Sequence, residues 1–237
     1  MNKKLTTWEA ACIITGYGIG GGVMALPYLA EKNGFLITAL ILAVAFVASY
    51  VLHLMIADLT LKSSEGGQII ACLSQFLFRG KLKTVLTISF FVLMLAILCT
   101  NLTSYINGAE EILIELLPVS SFVAKLIFYV VAAAVVLFGL KAVGVSEKIA
   151  MVIIFALIGV LAIASFFNDG NQVPMINFDD ISGSRILAFF GLAMFSLAAF
   201  FSVPQAVEGL EGDQDKIKKA IFLGFLNNFI IIFSSPY

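Results

Sequence analysis

Five glycines, Gly16, Gly18, Gly20, Gly21 and Gly22, precede Pro27 in an otherwise apolar run. Each glycine lowers helix stability by about 1 kcal/mol, and an interior proline by about 3. A helix broken here frees backbone groups for work that charged side chains usually do. N–H groups at the start of the outer half carry positive partial charge and suit a carboxylate. Carbonyls at the end of the inner half suit an ammonium or Na⁺. The amides near Gly20, Gly21 and Gly22 are the candidate donors, since missing side chains let a ligand approach the main chain. The candidate carbonyls are those of residues 16–19, Gly18 and Ile19 among them.

A second apolar run repeats the anomaly. Between Gly191 and Pro204 it holds Ser196, Ser202 and the proline itself. Carbonyls from Ser196 to Ala199 would face an ammonium, and Phe200 or Phe201 would close over a ligand side chain. Elsewhere, Asn101 and Tyr105 stand four residues apart and share a helix face. They would line a pathway, or else bond between helices with the tyrosine at the membrane interface. His53, Asp58 and Glu9 are ionisable groups near span ends, expected to anchor those ends toward water. Close packing through Gly16-x-x-x-Gly20 and Gly18-x-x-x-Gly22 is the plainer reading of the glycines. It accounts for one such pair, but not for five glycines, a proline and a second break.

The elements that must position these residues are membrane helices. The 237 residues are 61% hydrophobic and 12% charged, against about 45–50% and about 25% in soluble domains. An all-α integral membrane protein is the expected class. About 20 apolar residues cross a bilayer, and seven runs qualify: 8–30, 36–57, 85–105, 122–140, 148–167, 186–204 and 217–233. Eleven of the fourteen lysines and arginines fall in connections on one side of these spans. The positive-inside rule then puts the N-terminus in the cytoplasm of a multi-pass cell-membrane protein. The connection 63–84 is expected to hold a short interfacial helix, and 168–184 to be an exterior loop.

Composition also excludes functions. A net charge of −1 offers nothing to nucleic acid. No His-Glu-x-x-His and no Gly-x-Ser-x-Gly is present, so no enzyme is indicated. Cys12, Cys72 and Cys99 lack metal or disulfide spacing and read as small hydrophobes. No cofactor is called for beyond a coupling ion.

Two interrupted spans at corresponding positions of two halves point to a transporter built from inverted repeats. If the repeat is five helices long, the first and sixth correspond, and the odd number inverts the second half. Gly20-Gly-Gly-Val-Met-Ala-Leu-Pro-Tyr28 resembles the Gly-x-Gly-Ile-Leu-x-Leu-Pro-Tyr signature of the amino acid/auxin permease family. Phe200-Phe-Ser-Val-Pro-Gln205 and Asp215-Lys-Ile-Lys-Lys-Ala-Ile221 are similar to that family's sixth helix and the loop after it. Gln205 stands where family members often carry an acid. The resemblance implies a LeuT-type fold, truncated after about seven helices. It also implies secondary transport of an amino acid by alternating access, with H⁺ or Na⁺ as coupling ion. The alternative is a membrane sensor or assembly subunit that retains the fold without transporting.

Overall fold

The computed structural model describes residues 4–19, 33–63, 68–166 and 182–234. Every regular element among them is a helix. First come α1 (Thr7–Gly18), α2 (Phe35–Lys62) and the short α3 (Ile69–Phe76), which lies in the connection 63–84. A hairpin of α4 (Lys83–Leu116) and α5 (Ser121–Leu137) leads into α6 (Leu140–Phe166). The last three are α7 (Gly183–Ser196), α8 (Ser202–Gly209) and α9 (Gln214–Ser234). Among the described residues, three stretches are long and apolar enough to cross a bilayer: α2, α4 and Leu140–Leu161 of α6. The chain is an all-helical membrane protein.

The pattern along α2 shows how such a chain packs. Leu40, Val44, Val47, Val51 and Met55 form an exposed stripe, while Thr38, Ser49, His53 and Thr60 are buried. That is the reverse of a soluble helix. Lipid tails are as apolar as leucine, so large side chains gain little by turning inward. Helix contacts in a membrane therefore use small and polar residues.

The inner bundle is organised around α1. A capping box starts this helix: the Thr6 hydroxyl accepts from the Glu9 N–H at 3.2 Å, and the Thr6 N–H donates to Glu9 Oε2 at 2.8 Å. Glu9 is buried rather than water-facing, because Lys141 of α6 pairs with it at 2.5 Å. Burying a carboxylate is costly, and the ammonium offsets part of that cost. The Leu5 N–H donates to the Gly209 carbonyl at 2.7 Å, tying the start of α1 to the end of α8.

From there α1 packs most extensively on α9, then on α6 and α8, while α2 meets α7, α8 and α9. Where α1 crosses α9, a Cβ on Gly224 would lie 2.6 Å from Ile14 Cγ2. The glycine is what lets the two backbones approach. Ile14, Leu42, Phe189, Leu197 and Phe225 fill the centre.

The α4–α5 hairpin packs only lightly on this bundle. Among the described residues, Met94 alone is buried in α4 and Ala124 alone in α5. Its turn is pinned by the Lys125–Glu110 ion pair at 2.9 Å and a hydrogen bond from the Ser121 hydroxyl to Glu110. Gly139, at φ +87°, turns α5 into α6.

Candidate functional site

The first interruption begins where α1 ends. Gly18 is its last helical residue, and Ile19 is extended at φ −77°, ψ 108°. The Ile19 N–H still donates to the Thr15 carbonyl at 3.1 Å, closing the last turn. The final carbonyls of a helix have no partner within it and carry the negative end of its dipole. Gly18 and Ile19, two of the candidate ligands, therefore sit at an acceptor-rich terminus. Gly20, Gly21 and Gly22 lie outside the described residues.

The second interruption faces it. Helix α7 stops at Ser196, residues 197–201 leave the helical path, and α8 starts at Ser202. A Cβ on Gly18 would lie 2.9 Å from the Ser196 carbonyl oxygen and would collide with the Asn228 amide. The end of α1 and the end of α7 thus meet backbone to backbone. Pro204 falls in the first turn of α8, where a missing N–H costs least.

The released backbone at Ala199 is already in use. Its carbonyl accepts from the Ser202 N–H at 3.0 Å and the Ser202 hydroxyl at 2.8 Å, serving the start of α8. Its N–H donates to His53 Nε2 at 2.9 Å. Ala199 shapes the break, then, and the Ser196 carbonyl is the group turned toward α1. The Ser196 hydroxyl donates back to the Leu192 carbonyl at 2.9 Å. His53 is not the water-facing anchor expected of it, being only 5% exposed in the bundle. Asp58, one turn onward, is exposed and pairs with Lys62 at 2.6 Å.

Side chains complete the meeting point. Asn228 of α9 is fully buried, and neither atom of its amide has a hydrogen-bond partner among the described residues. A buried amide left in that condition costs about 1–3 kcal/mol, so it reads as a ligand-facing group. Its neighbour Asn227 donates to the Thr15 hydroxyl at 3.3 Å. Thr15 also lies 2.8 Å from the Ala11 carbonyl and 3.2 Å from that of Gly224, linking α1 to α9.

Three rings cluster beside this point. Tyr17 lies 6.2 Å from Phe200 and 5.8 Å from Phe201, which are 4.4 Å from each other. The Asn101 side chain reaches the Tyr17 hydroxyl, with Tyr105 nearby. Tyr105 itself is 46% exposed. On α6, Glu147 packs against Gly16, whose Cβ would lie 2.6 Å from the carboxyl carbon.

The structure therefore gathers Gly18, Ile19, Ser196, Ala199 and Phe200 at one place, and Tyr17 connects Asn101 to them. Tyr17, Asn228 and Glu147 are not among the residues that the sequence pattern singles out. A signal exists for two of them, since Tyr17 sits inside the glycine run and Asn227-Asn228 interrupts an apolar helix. Chemically, the site offers helix-end carbonyls and the Asn228 oxygen to a cation. It offers the Asn228 NH₂ to an anion and aromatic faces to a ring.

A model of the tryptophan/tyrosine permease family matches residues 3–233. The chain belongs to that family. It is an amino-acid permease family, so the protein is a transporter and not an enzyme. It is not the amino acid/auxin permease family that the Gly20–Tyr28 motif resembles. A broken, glycine-lined helix answers a need of amino-acid carriers in general, which is why the motif reached the class and missed the branch. No curated protein and no solved structure matches the chain.

Proposed function

We propose that this member of the tryptophan/tyrosine permease family carries tryptophan or tyrosine across the cell membrane, and that it binds them where α1, α7, α8 and α9 meet. One observation carries the reading. The ends of α1 and α7 converge at Gly18 and Ser196 on Asn228, whose amide has no hydrogen-bond partner among the described residues, beside the rings of Tyr17, Phe200 and Phe201.

The roles follow from the chemistry. The substrate ammonium would be held by carbonyls at the end of α1 and by that of Ser196, with Asn228 supplying a further polar contact. The carboxylate is assigned to the amides near Gly20, Gly21 and Gly22. An indole or phenol would stack on Phe200 and Tyr17, each aromatic pair adding about 0.5–1.5 kcal/mol.

Alternating access in a LeuT-type arrangement, with the N-terminus in the cytoplasm, supplies the transport cycle. Helix breaks at the midplane of two inverted repeats are the hallmark of that arrangement. An H⁺ or Na⁺ gradient would drive accumulation, and imposing each gradient in turn on vesicles separates the two.

Uptake into proteoliposomes tests the reading. Wild-type protein should accumulate tryptophan or tyrosine in preference to leucine. Phe200→Ala should raise KM for the aromatic substrate about tenfold, the effect of losing about 1.4 kcal/mol. Unchanged aromatic selectivity in Phe200→Ala and Tyr17→Ala would remove the site from this place.

A further inference from the structure

We infer that His53 is the positioning residue of the second interruption, and that it does this work only as the neutral imidazole protonated on Nδ1. Breaking a helix leaves N–H groups that need acceptors. At Ala199 that acceptor is a side chain 146 residues away, His53 Nε2 at 2.9 Å. The other ring nitrogen, Nδ1, lies 2.6 Å from the Ser49 carbonyl one turn back on α2. A carbonyl can only accept, so Nδ1 carries the hydrogen; an amide N–H can only donate, so Nε2 carries a lone pair. The two contacts together select one tautomer of the three protonation forms.

The ring has little freedom to do anything else. Phe225 of α9 stands edge-on to it, with ring centres 4.6 Å apart. Ser49, which receives the Nδ1 hydrogen at its carbonyl, is itself tied to α7 through its hydroxyl and Met194 Sδ at 3.4 Å. No charged group faces the imidazole among the described residues. Asp58 on its own helix, Arg185 on α7, Glu208 on α8, and Lys216, Lys218 and Lys219 on α9 are all exposed at the surface.

Adding a proton to Nε2 would turn the Ala199 contact into two donors facing each other. The ring or the break must then move to separate them. The Ala199 carbonyl organises the first turn of α8, so a displacement of the break reaches the start of that helix. His53 thus couples the proton occupancy of one buried ring to the shape of the proposed binding site. The consequence for transport rests on the permease reading; the tautomer does not.

The chain contains a single histidine, so selective labelling reports on this residue alone. Protein in lipid nanodiscs, labelled with ¹⁵N in histidine and alanine, should show one protonated nitrogen, Nδ1. It should also show one bare nitrogen, Nε2, coupled to the Ala199 amide. An Nε2-protonated ring, or a doubly protonated one at neutral pH, overturns the inference whatever the transport assay shows.

Tryptophan counterflow, at equal pH on both sides of the vesicle, then reads the function. Acidification should abolish counterflow with the same midpoint at which the Nε2 lone pair disappears. His53→Gln keeps an acceptor in the place of Nε2, and should retain counterflow within threefold of wild type with the acid loss abolished. His53→Leu should fall at least tenfold at every pH. Wild-type counterflow by His53→Leu, or an unchanged acid midpoint in His53→Gln, overturns the positioning role. Absence of tryptophan or tyrosine counterflow in the wild type would fail the permease reading instead, and the NMR result would stand by itself.

Discussion

The inner bundle and the α4–α5 hairpin are built from similarly apolar sequence, yet they use it in opposite ways. In α1, eight of twelve residues are buried, and Glu9 and Thr15 are among them. In α4, a helix of 34 residues, Met94 alone is buried among the described residues. The glycines tell the same story. Beyond Gly18, a Cβ would lie 2.6 Å from Ile14 at Gly224 and 2.9 Å from Leu5 at Gly144. At Gly108 in α4 it would meet nothing within 4 Å. Hydrophobicity alone does not bring helices together in a membrane; small residues and paired polar groups do. The bundle has both, and the candidate site lies where α1 and α7 approach backbone to backbone.

Four substitutions test how deep this difference goes. Gly18→Leu should have the largest effect, abolishing uptake while the protein still reaches the membrane, because the leucine would fill the space between Ser196 and Asn228. Normal uptake by that variant would show that the close approach of the two breaks is incidental. Gly224→Leu should come next, costing about 1–3 kcal/mol or more by overpacking against Ile14. It would be read as a drop of several degrees in Tm in detergent, and an unchanged Tm would mean that α1 and α9 are not tightly apposed.

Lys141→Met removes the partner of Glu9. The ammonium is partly exposed, so a loss of about 1 kcal/mol is expected, visible as a smaller Tm shift that Glu9→Gln in the same chain should partly reverse. Gly108→Ala should have the smallest effect and the opposite sign. With open space around it, the alanine adds helix propensity of up to about 1 kcal/mol. A destabilised Gly108→Ala would mean that the hairpin is packed against something after all.

Much of the proposed site is legible in the residues themselves. Glycines and proline carry their backbone consequences with them, so composition and spacing point to Gly18 and Ser196. Their convergence with Phe200 is a matter of matching two breaks. His53 is easily misread because its distance from the end of the span suggests contact with water. Along α2 almost every residue is apolar, so no amphipathic stripe says which side is inward. Only the partner Ala199 on the far side of the chain decides it. The same holds for Asn228, whose polar character is visible in the sequence but whose facing is not, and for Tyr17, whose ring finds Phe200 and Phe201 only once the helices are assembled.

By itself, then, the sequence pointed to a helical membrane protein with the chemistry of an amino-acid carrier and two helices expected to be interrupted. Those properties rest on composition, on local backbone cost, and on the energetics of a bilayer, all of which are readable residue by residue. Tertiary structure alone decided that the ends of α1 and α7 meet, that the Asn228 amide beside them has no partner among the described residues, and that His53 caps the break after α7. These depend on contacts such as Thr15 with Gly224, 209 residues apart, and on Ala199 with His53, 146 apart. In helices apolar on every side, the choice of neighbour is made by shape and by the few polar groups seeking each other, which only the packed molecule resolves.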